Sequence, residues 1–221
     1  MLGGEQKARN GAFLLDLFWP TICCGCQQPG MWLCNNCQQQ LVANWHWRRL
    51  VMESESGPVD ILYCADYRQL LLNKLLKLTK YQRLTGPGKI LALSFANFIK
   101  QTIAQQFWFR ESIITAIPLS RQRFNWRGFN QAELLAETIA QISGQSLINK
   151  WQRRNRLSQT YLSRTERLIN LRQTFSWSQQ LKGQDFLIID DVVTTGTTLI
   201  QAANCLRKSG AGQVRGLVLA H

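Results

Sequence analysis

FLIIDDVVTTGTTL, residues 186–199, decides the fold of the chain and the chemistry that it can carry. The apolar run 186–189 predicts a buried strand, and the residues after Gly196 have the apolar spacing of a helix that continues to about Lys208. In open α/β sheets, the N–H groups of such a turn and the positive end of the helix dipole suit a phosphate dianion. Asp190 and Asp191 follow the strand directly, at the edge where these sheets place their ligands. The stretch therefore predicts a phosphate-binding strand–turn–helix in an α/β fold.

The same stretch resembles the PRPP (phosphoribosyl pyrophosphate) motif of type I phosphoribosyltransferases. The resemblance implies that Asp190 and Asp191 hold the ribose hydroxyls of PRPP, with Mg²⁺ bound alongside, and that the turn wraps the 5′-phosphate. The residues of that turn are Thr194, Thr195, Gly196, Thr197 and Thr198. A Walker A loop would need a Lys that this turn lacks, and the plainer alternative is a turn whose threonines only cap the helix.

Two CxxC pairs near the start of the chain have the spacing of a metal site. They are Cys23 with Cys26 and Cys34 with Cys37, and four thiolates at this spacing can close a tetrahedral zinc site. Four protein ligands leave no open position for catalysis, so we expect the zinc to be structural. A disulfide framework is the alternative, and it fits poorly with an odd count of 7 cysteines.

The order of these two features, together with further motifs, resembles the ComF family, whose members carry an N-terminal zinc finger ahead of a phosphoribosyltransferase-like domain. The segments LLDLFWP at 14–20, IPLS at 117–120 and RGFNQ at 127–131 are similar to the family's own. Further residues follow in the family's usual order: Arg154, Gln159, Leu162, Ser163, Arg167, Asn170 and Phe175. The resemblance implies a type I phosphoribosyltransferase-like domain and a role in DNA uptake during natural transformation.

Two arginine-rich connections flank the predicted phosphate turn. The resemblance implies that the first, which includes Arg121 and Arg123, contacts pyrophosphate. Its contact residues are then Arg127, Gly128, Asn130 and Gln131. The second, from Arg153 to Arg172, is long enough to be a lid over PRPP, and a solvated basic loop is the alternative. If the protein is an enzyme, the predicted catalytic residues are Asp190, Asp191, Arg127 and Arg154.

The chain has a formal net charge of +13 and a pI of about 9.9, which favours polyanionic partners. Aromatic residues are interleaved with this charge, an arrangement that holds single-stranded nucleic acid by base stacking. They are Phe124, Trp126, Phe129, Trp151, Tyr161 and Trp177, with Trp32, Trp45 and Trp47 near the cysteines. Core packing is the default for any one Trp. Because the sequence has no base-reading motif, we expect sequence-independent binding of single-stranded DNA.

Strands alternate with helices along most of the chain, which predicts an α/β fold with a mostly parallel sheet flanked by helices. The predicted strands are 59–67, 113–117, 147–151, 186–190 and 214–219. The predicted helices are 70–81, 88–105, 130–142 and the one after Gly196. Gly86-Pro87 is expected to break the chain before the second helix. Lys77 and Lys80 lie on a helical stripe that is expected to be solvated.

The polar segment 53–58 is the expected junction between two parts of the chain. We expect a double zinc-ribbon-like finger module at 1–55 and a phosphoribosyltransferase-like domain at 56–221. The apolar stretch at 13–20 contains Asp16 and is too short for membrane insertion, so we expect a cytoplasmic protein.

Two functions from different classes fit these motifs. The first is a competence-type protein that handles incoming single-stranded DNA during natural transformation and carries a PRPP-binding site. The alternative is a phosphoribosyltransferase of nucleotide or nucleoside metabolism that displaces pyrophosphate from PRPP. A third and weaker possibility is an adaptor that senses PRPP, with an uptake helicase or channel as its partner.

Overall fold

The computed structural model describes residues 21–81, 84–103, 106–153 and 175–221. Its strands are β1 (Arg48–Met52), β2 (Val59–Ala65), β3 (Ile113–Ala116), β4 (Trp151–Arg153), β5 (Phe175–Trp177), β6 (Phe186–Val192) and β7 (Val214–Ala220). Five of these strands form the central sheet in the order β1-β2-β7-β6-β3, and β4 pairs with β5 in a separate antiparallel sheet. Strands β2, β7, β6 and β3 run parallel, and β1 is an antiparallel edge strand.

Helices flank this sheet. They are α1 (Asn35–Ala43), α2 (Leu70–Tyr81), α3 (Thr85–Thr102), α4 (Phe107–Arg110), α5 (Arg121–Arg127), α6 (Gln131–Ser143) and α7 (Thr197–Lys208). Helix α6 packs on β3 and β6, and α7 packs on β5, β6 and β7. Residues 186–189 of β6 are all buried without alternation, so both faces of this strand are covered. The predicted mostly parallel sheet flanked by helices is confirmed.

The register of the parallel strands brings their carboxyl ends to one edge. Val192 of β6 pairs with Ala220 of β7, and Ala220 also pairs with Ala65 of β2. Asp190 and Asp191 lie at this edge, which is where a parallel sheet offers space for a ligand. The sheet therefore puts the two acids in the position that the sequence predicts.

Two predicted boundaries were wrong. The second helix begins at Thr85, so Gly86 and Pro87 lie in its first turn rather than before it. Proline is tolerated there because an N–H in the first turn has no intrahelical partner. The connection that carries Arg121 and Arg123 is the short helix α5, capped by the Ser120 hydroxyl, which accepts from the Arg123 N–H.

Strand formation also differs from the prediction at 147–151. Leu147 forms an isolated bridge with Ile114, and the regular strand begins only at Trp151. The polar segment 53–58 connects β1 to β2 as the turn of a hairpin within the main sheet. Arg207 of α7 donates to the carbonyls of Gly57 and Pro58 and ties this turn to the helix. The division of the chain at residue 55 remains a prediction.

The cysteine-rich segment packs closely on α2 and α3. Trp45 is 2 % exposed and meets Phe95 and Phe98 of α3 edge-on, with ring centroids 6.3 and 5.7 Å apart. The indole N–H of Trp47 donates to the Thr102 hydroxyl at 2.7 Å. Trp45 therefore belongs to the core, and Trp47 is partly covered beside it, as the default for a single Trp predicts.

Candidate functional site

The acidic pair at the end of β6 lies beside a lysine from a distant part of the chain. The Lys80 ammonium is 2.6 Å from Oδ2 of Asp191, and the two side chains are only 16 % and 13 % exposed. The Asp191 N–H donates to Oδ1 of Asp190 at 2.8 Å. The last turn of α2 thus supplies a cation to the site, although the sequence favoured a solvated position for Lys80.

Burial has a large effect on the other acid. Burial, followed by the neighbouring Asp191 charge, raises the pKa of Asp190 to about 8, although the Asp191 N–H and Lys80 oppose the shift. A pKa near 8 favours the protonated form of Asp190 at neutral pH when no ligand is bound. It can donate one hydrogen bond in that form, and it becomes a better acceptor when a cation approaches and the proton leaves.

The threonine turn after these acids is open to solvent. Thr194, Thr195, Thr197 and Thr198 are exposed, and the hydroxyls of Thr195 and Thr197 lie 3.0 Å apart. Gly196 precedes α7 with a φ of +68°, a conformation that favours glycine. A Cβ at Gly196 would lie 1.8 Å from Sδ of Met52, so the last residue of β1 packs against the turn. The geometry leaves several hydroxyl donors at the start of α7.

The residues predicted to contact pyrophosphate differ in their burial and in their hydrogen bonds. Nη1 of Arg127 donates to Oε1 of Gln131 at 2.9 Å, while its buried Nε has no hydrogen-bond partner among the described residues. Gly128 ends α5 with a φ of +82°. Asn130 is 4 % exposed. Its side-chain amide donates to the Ile117 carbonyl, and its side-chain oxygen accepts from the Ala132 N–H at the start of α6.

Gln131 is also buried, at 5 % exposure, and its amide lies 3.5 Å from the Thr79 carbonyl of α2. The side chains of Asn130 and Gln131 are thus used in structural hydrogen bonds. Contact of these two side chains with pyrophosphate remains a prediction, and so does contact of Arg127 and Gly128 with it. Arg154 and the predicted lid, which includes Tyr161, lie outside the described residues, except for Arg153 at its start.

Residues 79–81 of α2 connect the two halves of the site. Thr79 contacts Gln131, Lys80 contacts Asp191, and the Tyr81 ring lies 5.7 Å from the Trp126 ring of α5. The sequence signal at this position was a lysine stripe on an apolar helix, which does not reveal a partner so far along the chain. The structure brings the PRPP-like turn and the connection after β3 to the same helix end.

A second surface lies beside this junction. Phe124 and Trp126 of α5 are 46 % and 44 % exposed, and Tyr81 is 61 % exposed. Arg121 and Arg123 are exposed on the same short helix. These five residues are called the α5 surface below. Trp177 is instead buried against Trp151 and Phe186, with ring centroids 4.8 and 5.5 Å away, so the predicted stacking role of Trp151 and Trp177 is not supported.

The four cysteines of the CxxC pairs come together. The sulfur atoms of Cys23, Cys26, Cys34 and Cys37 all lie within 4.8 Å of one another, and every cysteine of the chain is free. A Cβ at Gly25 would lie 2.6 Å from the Cys37 sulfur, so glycine at this position lets the sulfurs converge. The donor set and spacing fit a metal ion such as zinc.

The pKa values of two thiols in this cluster are shifted in opposite directions. Burial opposes ionisation of Cys23, but the N–H groups of Cys34, Cys26 and Gly25 outweigh it and lower the pKa of Cys23 to about 6. The Cys34 thiol, followed by burial, raises the pKa of Cys37 to about 12. Four adjacent thiols cannot all ionise without a cation, which is the charge that a bound metal supplies.

Among the helices of the described residues, none combines the length and the apolar character needed to cross a membrane.

The chain is similar to known proteins over part or most of its length. Residues 133–221 match the phosphoribosyl transferase domain family. The chain is 29 % identical over 188 residues to the competence protein ComFC of Bacillus subtilis, which covers 85 % of this chain and 71 % of ComFC. It is 29 % identical over 197 residues to the DNA utilization protein YhgH of Salmonella typhimurium, with 88 % and 82 % covered.

Among solved structures, adenine phosphoribosyltransferase from Saccharomyces cerevisiae matches at 15 % identity and a TM-score of 0.40, over 83 % of this chain and 88 % of that one. The relationship to ComFC and YhgH over most of the chain confirms the predicted resemblance to the ComF family.

Proposed function

From this relationship to competence and DNA utilization proteins, we propose that the protein handles incoming single-stranded DNA during natural transformation. We propose also that it binds PRPP, or a related phosphorylated ribose, at the turn between β6 and α7. One observation carries both statements: the end of α2 contacts the acidic pair through Lys80, and its next residue, Tyr81, belongs to the α5 surface and lies against Trp126. A phosphoribose site and a surface suited to bases and phosphates are therefore adjacent.

The acidic pair and the threonine turn have the groups that a phosphorylated ribose needs. The exposed threonine hydroxyls and the first N–H groups of α7 donate to the 5′-phosphate. Asp190 and Asp191 accept from the ribose hydroxyls, and Lys80 holds Asp191 in place. Carboxylate oxygens suit Mg²⁺, which would neutralise the diphosphate when it is bound with PRPP. Binding then favours ionised Asp190, so a proton is released.

The α5 surface has the composition of a single-strand binding surface. Three exposed aromatic rings provide faces on which bases stack, each worth about 1–3 kcal/mol in known cases. Arg121 and Arg123 provide charge for the phosphates, and the net charge of +13 favours the approach of a polyanion. Contacts of this type carry no base sequence information by themselves.

The four clustered cysteines are proposed to hold a structural zinc ion. Their segment packs on α2 and α3, so the metal would fix the position of the helices that lead to Lys80. Cytoplasmic localisation and an uptake helicase or channel as partner remain expectations from the sequence.

Calorimetry with PRPP and Mg²⁺ tests the phosphoribose site. Wild type is compared with the double variant Asp190→Asn/Asp191→Asn and with Asp66→Asn, which changes an exposed acid just after β2. We expect wild type and Asp66→Asn to bind PRPP and the double variant to lose at least about tenfold in affinity, because its amides are weaker acceptors than carboxylates. Equal binding by all three proteins would refute the site.

Titration with a fluorescent DNA oligonucleotide tests the strand-binding surface. The variant Arg121→Ala/Arg123→Ala should bind more weakly, and the slope of log K against log salt should fall by about 0.7 for each lost phosphate contact. Asp190→Asn/Asp191→Asn should bind DNA at least as tightly as wild type, because it loses acidic groups and no DNA contact. If the arginine variant binds DNA as wild type does, with an unchanged salt slope, the α5 surface is not the binding surface.

A phosphoribosyltransferase is the second candidate, favoured by the buried acid pair with its lysine. In that function the acids position the ribose, and Arg127 and Arg154 stabilise the charge on the leaving pyrophosphate. Release of pyrophosphate from PRPP in the presence of an added nucleobase, abolished in the double variant, would support it. Absence of release with each common nucleobase would leave PRPP as a ligand only. A PRPP-sensing adaptor differs from both in that PRPP would alter affinity for a protein partner.

A further inference from the structure

A pocket of about 260 Å³ lies behind the α5 surface, between the start of α3, the end of α5 and the first turns of α6. Phe124 and Phe129 supply its apolar walls, Glu133 and Glu137 its acidic side, and Lys89 its basic side. Pockets for drug-sized molecules measure about 300–1,000 Å³, so this one suits a smaller planar group. Phe124 belongs both to the pocket and to the α5 surface.

The two acids make the pocket chemically specific. Glu133 and Glu137 are four residues apart on α6, so their carboxylates lie on the same side of the helix. Burial raises the pKa of Glu133, and the charge of Glu137 raises it further, while the Asn130 side chain opposes the shift. Glu133 is partly buried and Glu137 is exposed. A ligand that donates hydrogen bonds to their carboxylates reduces the repulsion between these two like charges.

We propose that this pocket receives one base of the bound single strand, and that it selects a base with an amino group and a carbonyl on the two sides of one ring nitrogen, as in cytosine or guanine. The inference rests on the proposed binding of single-stranded DNA. The aromatic walls take the faces of the base. A glutamate accepts from the exocyclic amino group, as acidic side chains do for N4 of cytosine, and Lys89 donates to the carbonyl.

Uracil and thymine are disfavoured by the same groups. Each has a carbonyl oxygen where cytosine has its amino group, and that oxygen would face a carboxylate. The pocket thus adds a preference for base composition to a surface that otherwise binds any strand. Hydrogen bonds to ionised groups are among the stronger ones in proteins, so we expect an affinity ratio of about tenfold between cytosine and uracil strands.

The test compares oligo(dC) with oligo(dU) of equal length at about pH 8, where cytosine is neutral. The bases of these strands differ only at position 4, which carries an amino group in cytosine and a carbonyl in uracil, and at N3, which carries a hydrogen only in uracil. Neither base carries the thymine methyl group. Wild type is compared with Glu133→Gln/Glu137→Gln and with Glu111→Gln, an exposed acid away from the pocket. The measured quantity is the ratio of the two dissociation constants, because removing acids strengthens binding of any polyanion.

Wild type and Glu111→Gln should prefer oligo(dC) about tenfold, and the ratio should fall towards one in the double variant. Equal binding of the two strands by wild type, or an unchanged ratio in the double variant, overturns the pocket while leaving strand binding intact. Failure of wild type to bind either strand overturns the strand-binding proposal instead. The pocket is then judged with the mononucleotides dCMP and dUMP, and equal binding of these two overturns it.

Discussion

Two clusters of acidic groups, one in the first part of the sequence and one in the last, bring groups that would repel each other when ionised close together. They differ in the source of the cation that neutralises them. At the end of β6, two carboxyls share a buried place with Lys80, which lies 2.6 Å from Asp191. Near the start of the chain, four thiols lie within 4.8 Å of one another, and they include Cys23, whose pKa is lowered, and Cys37, whose pKa is raised. The carboxyl cluster has a neighbouring cation of its own, whereas the thiol cluster is suited to a cation from outside.

The difference has consequences for what each cluster does. A cluster that depends on a bound metal holds its part of the fold only when the metal is present, so its energy appears as stability. A cluster neutralised by a lysine is folded without a ligand and can exchange that lysine's contact for a ligand's. We therefore expect changes in the thiol cluster to affect folding first, and changes in the carboxyl cluster to affect binding as well.

The largest effect is expected for Cys23→Ser. Loss of one of four ligands should release the proposed zinc and loosen the packing of Trp45 on α3, at a cost of several kcal/mol. For a chain of this size that cost lowers the melting temperature by on the order of 10 °C. Metal content by mass spectrometry and thermal unfolding measure both quantities. Cys24→Ser is the matched control, since Cys24 lies outside the cluster and should keep metal and stability.

Wild-type metal content and stability in Cys23→Ser would mean that the thiols carry no structural metal. The contrast between the two clusters would then disappear, since neither would depend on an outside cation.

Lys80→Ala is expected to have the next largest effect. It leaves a poorly exposed acidic pair without its cation, and breaking a buried ion pair costs about 3–5 kcal/mol. We expect about 2–3 kcal/mol because both side chains keep some solvent contact and Asp191 can take up a proton. Unfolding in urea measures this cost, and PRPP affinity should fall with it. Lys77→Ala, one turn earlier on the same helix and exposed, is the control.

If Lys80→Ala and Lys77→Ala were equally stable, the ion pair would contribute nothing and the two clusters would be alike in lacking a cation of their own.

The sequence predicted the residues of each cluster that are close together in the chain. It missed Lys80, a contact from a residue far away in the sequence. The acids, the threonine turn and the CxxC pairs are contiguous motifs whose geometry follows from one turn of chain. Lys80 reaches Asp191 only through the packing of α2 beside the sheet, which no local pattern reveals. A polar side chain in a motif is also ambiguous, because Asn130 can bind a ligand or cap a helix, and here it caps α6.

The aromatic residues illustrate the same limit. Interleaving with arginines predicted stacking surfaces at Trp126 and at Trp177 alike. Trp126 lies on a short helix whose first six residues, 121–126, are exposed, whereas Trp177 lies on a strand that packs against β6. Composition alone cannot distinguish these cases, since the distinction depends on which face of each element the sheet covers.

Asp190 should give the carboxyl cluster a measurable pH dependence. Its pKa is about 8 when folded, above the usual value of 3.8 that we expect when unfolded, so the folded protein binds an extra proton between these values. That stability is complete below about pH 4 and is lost as pH rises through about 8. Asparagine does not titrate, so the variant Asp190→Asn does not lose stability in this way as the pH rises. The stability of the variant relative to wild type should therefore increase from pH 5 to pH 8 and then level off.

One extra bound proton allows at most about 1.4 kcal/mol per pH unit, and we expect a total change on the order of 2 kcal/mol, below that limit, because Asp190 is only partly buried. Urea unfolding at several pH values measures it. Asp66→Asn, which changes an exposed acid, is the control. A flat difference for Asp190→Asn would mean that Asp190 is ionised in the folded protein.

The smallest effect is the steric part of the cost of a Cβ at the glycine of the threonine turn. Gly196→Ala should cost about 1–2 kcal/mol for an alanine at a φ of +68°, and somewhat more because the new Cβ displaces Met52. Gly183→Ala is matched in φ, at +82°, but its Cβ would meet no atom within 4 Å, so it measures the backbone cost alone. In a Met52→Ala background the extra cost at Gly196 should vanish. Persistence of that extra cost in the Met52→Ala background would show that β1 does not support the turn.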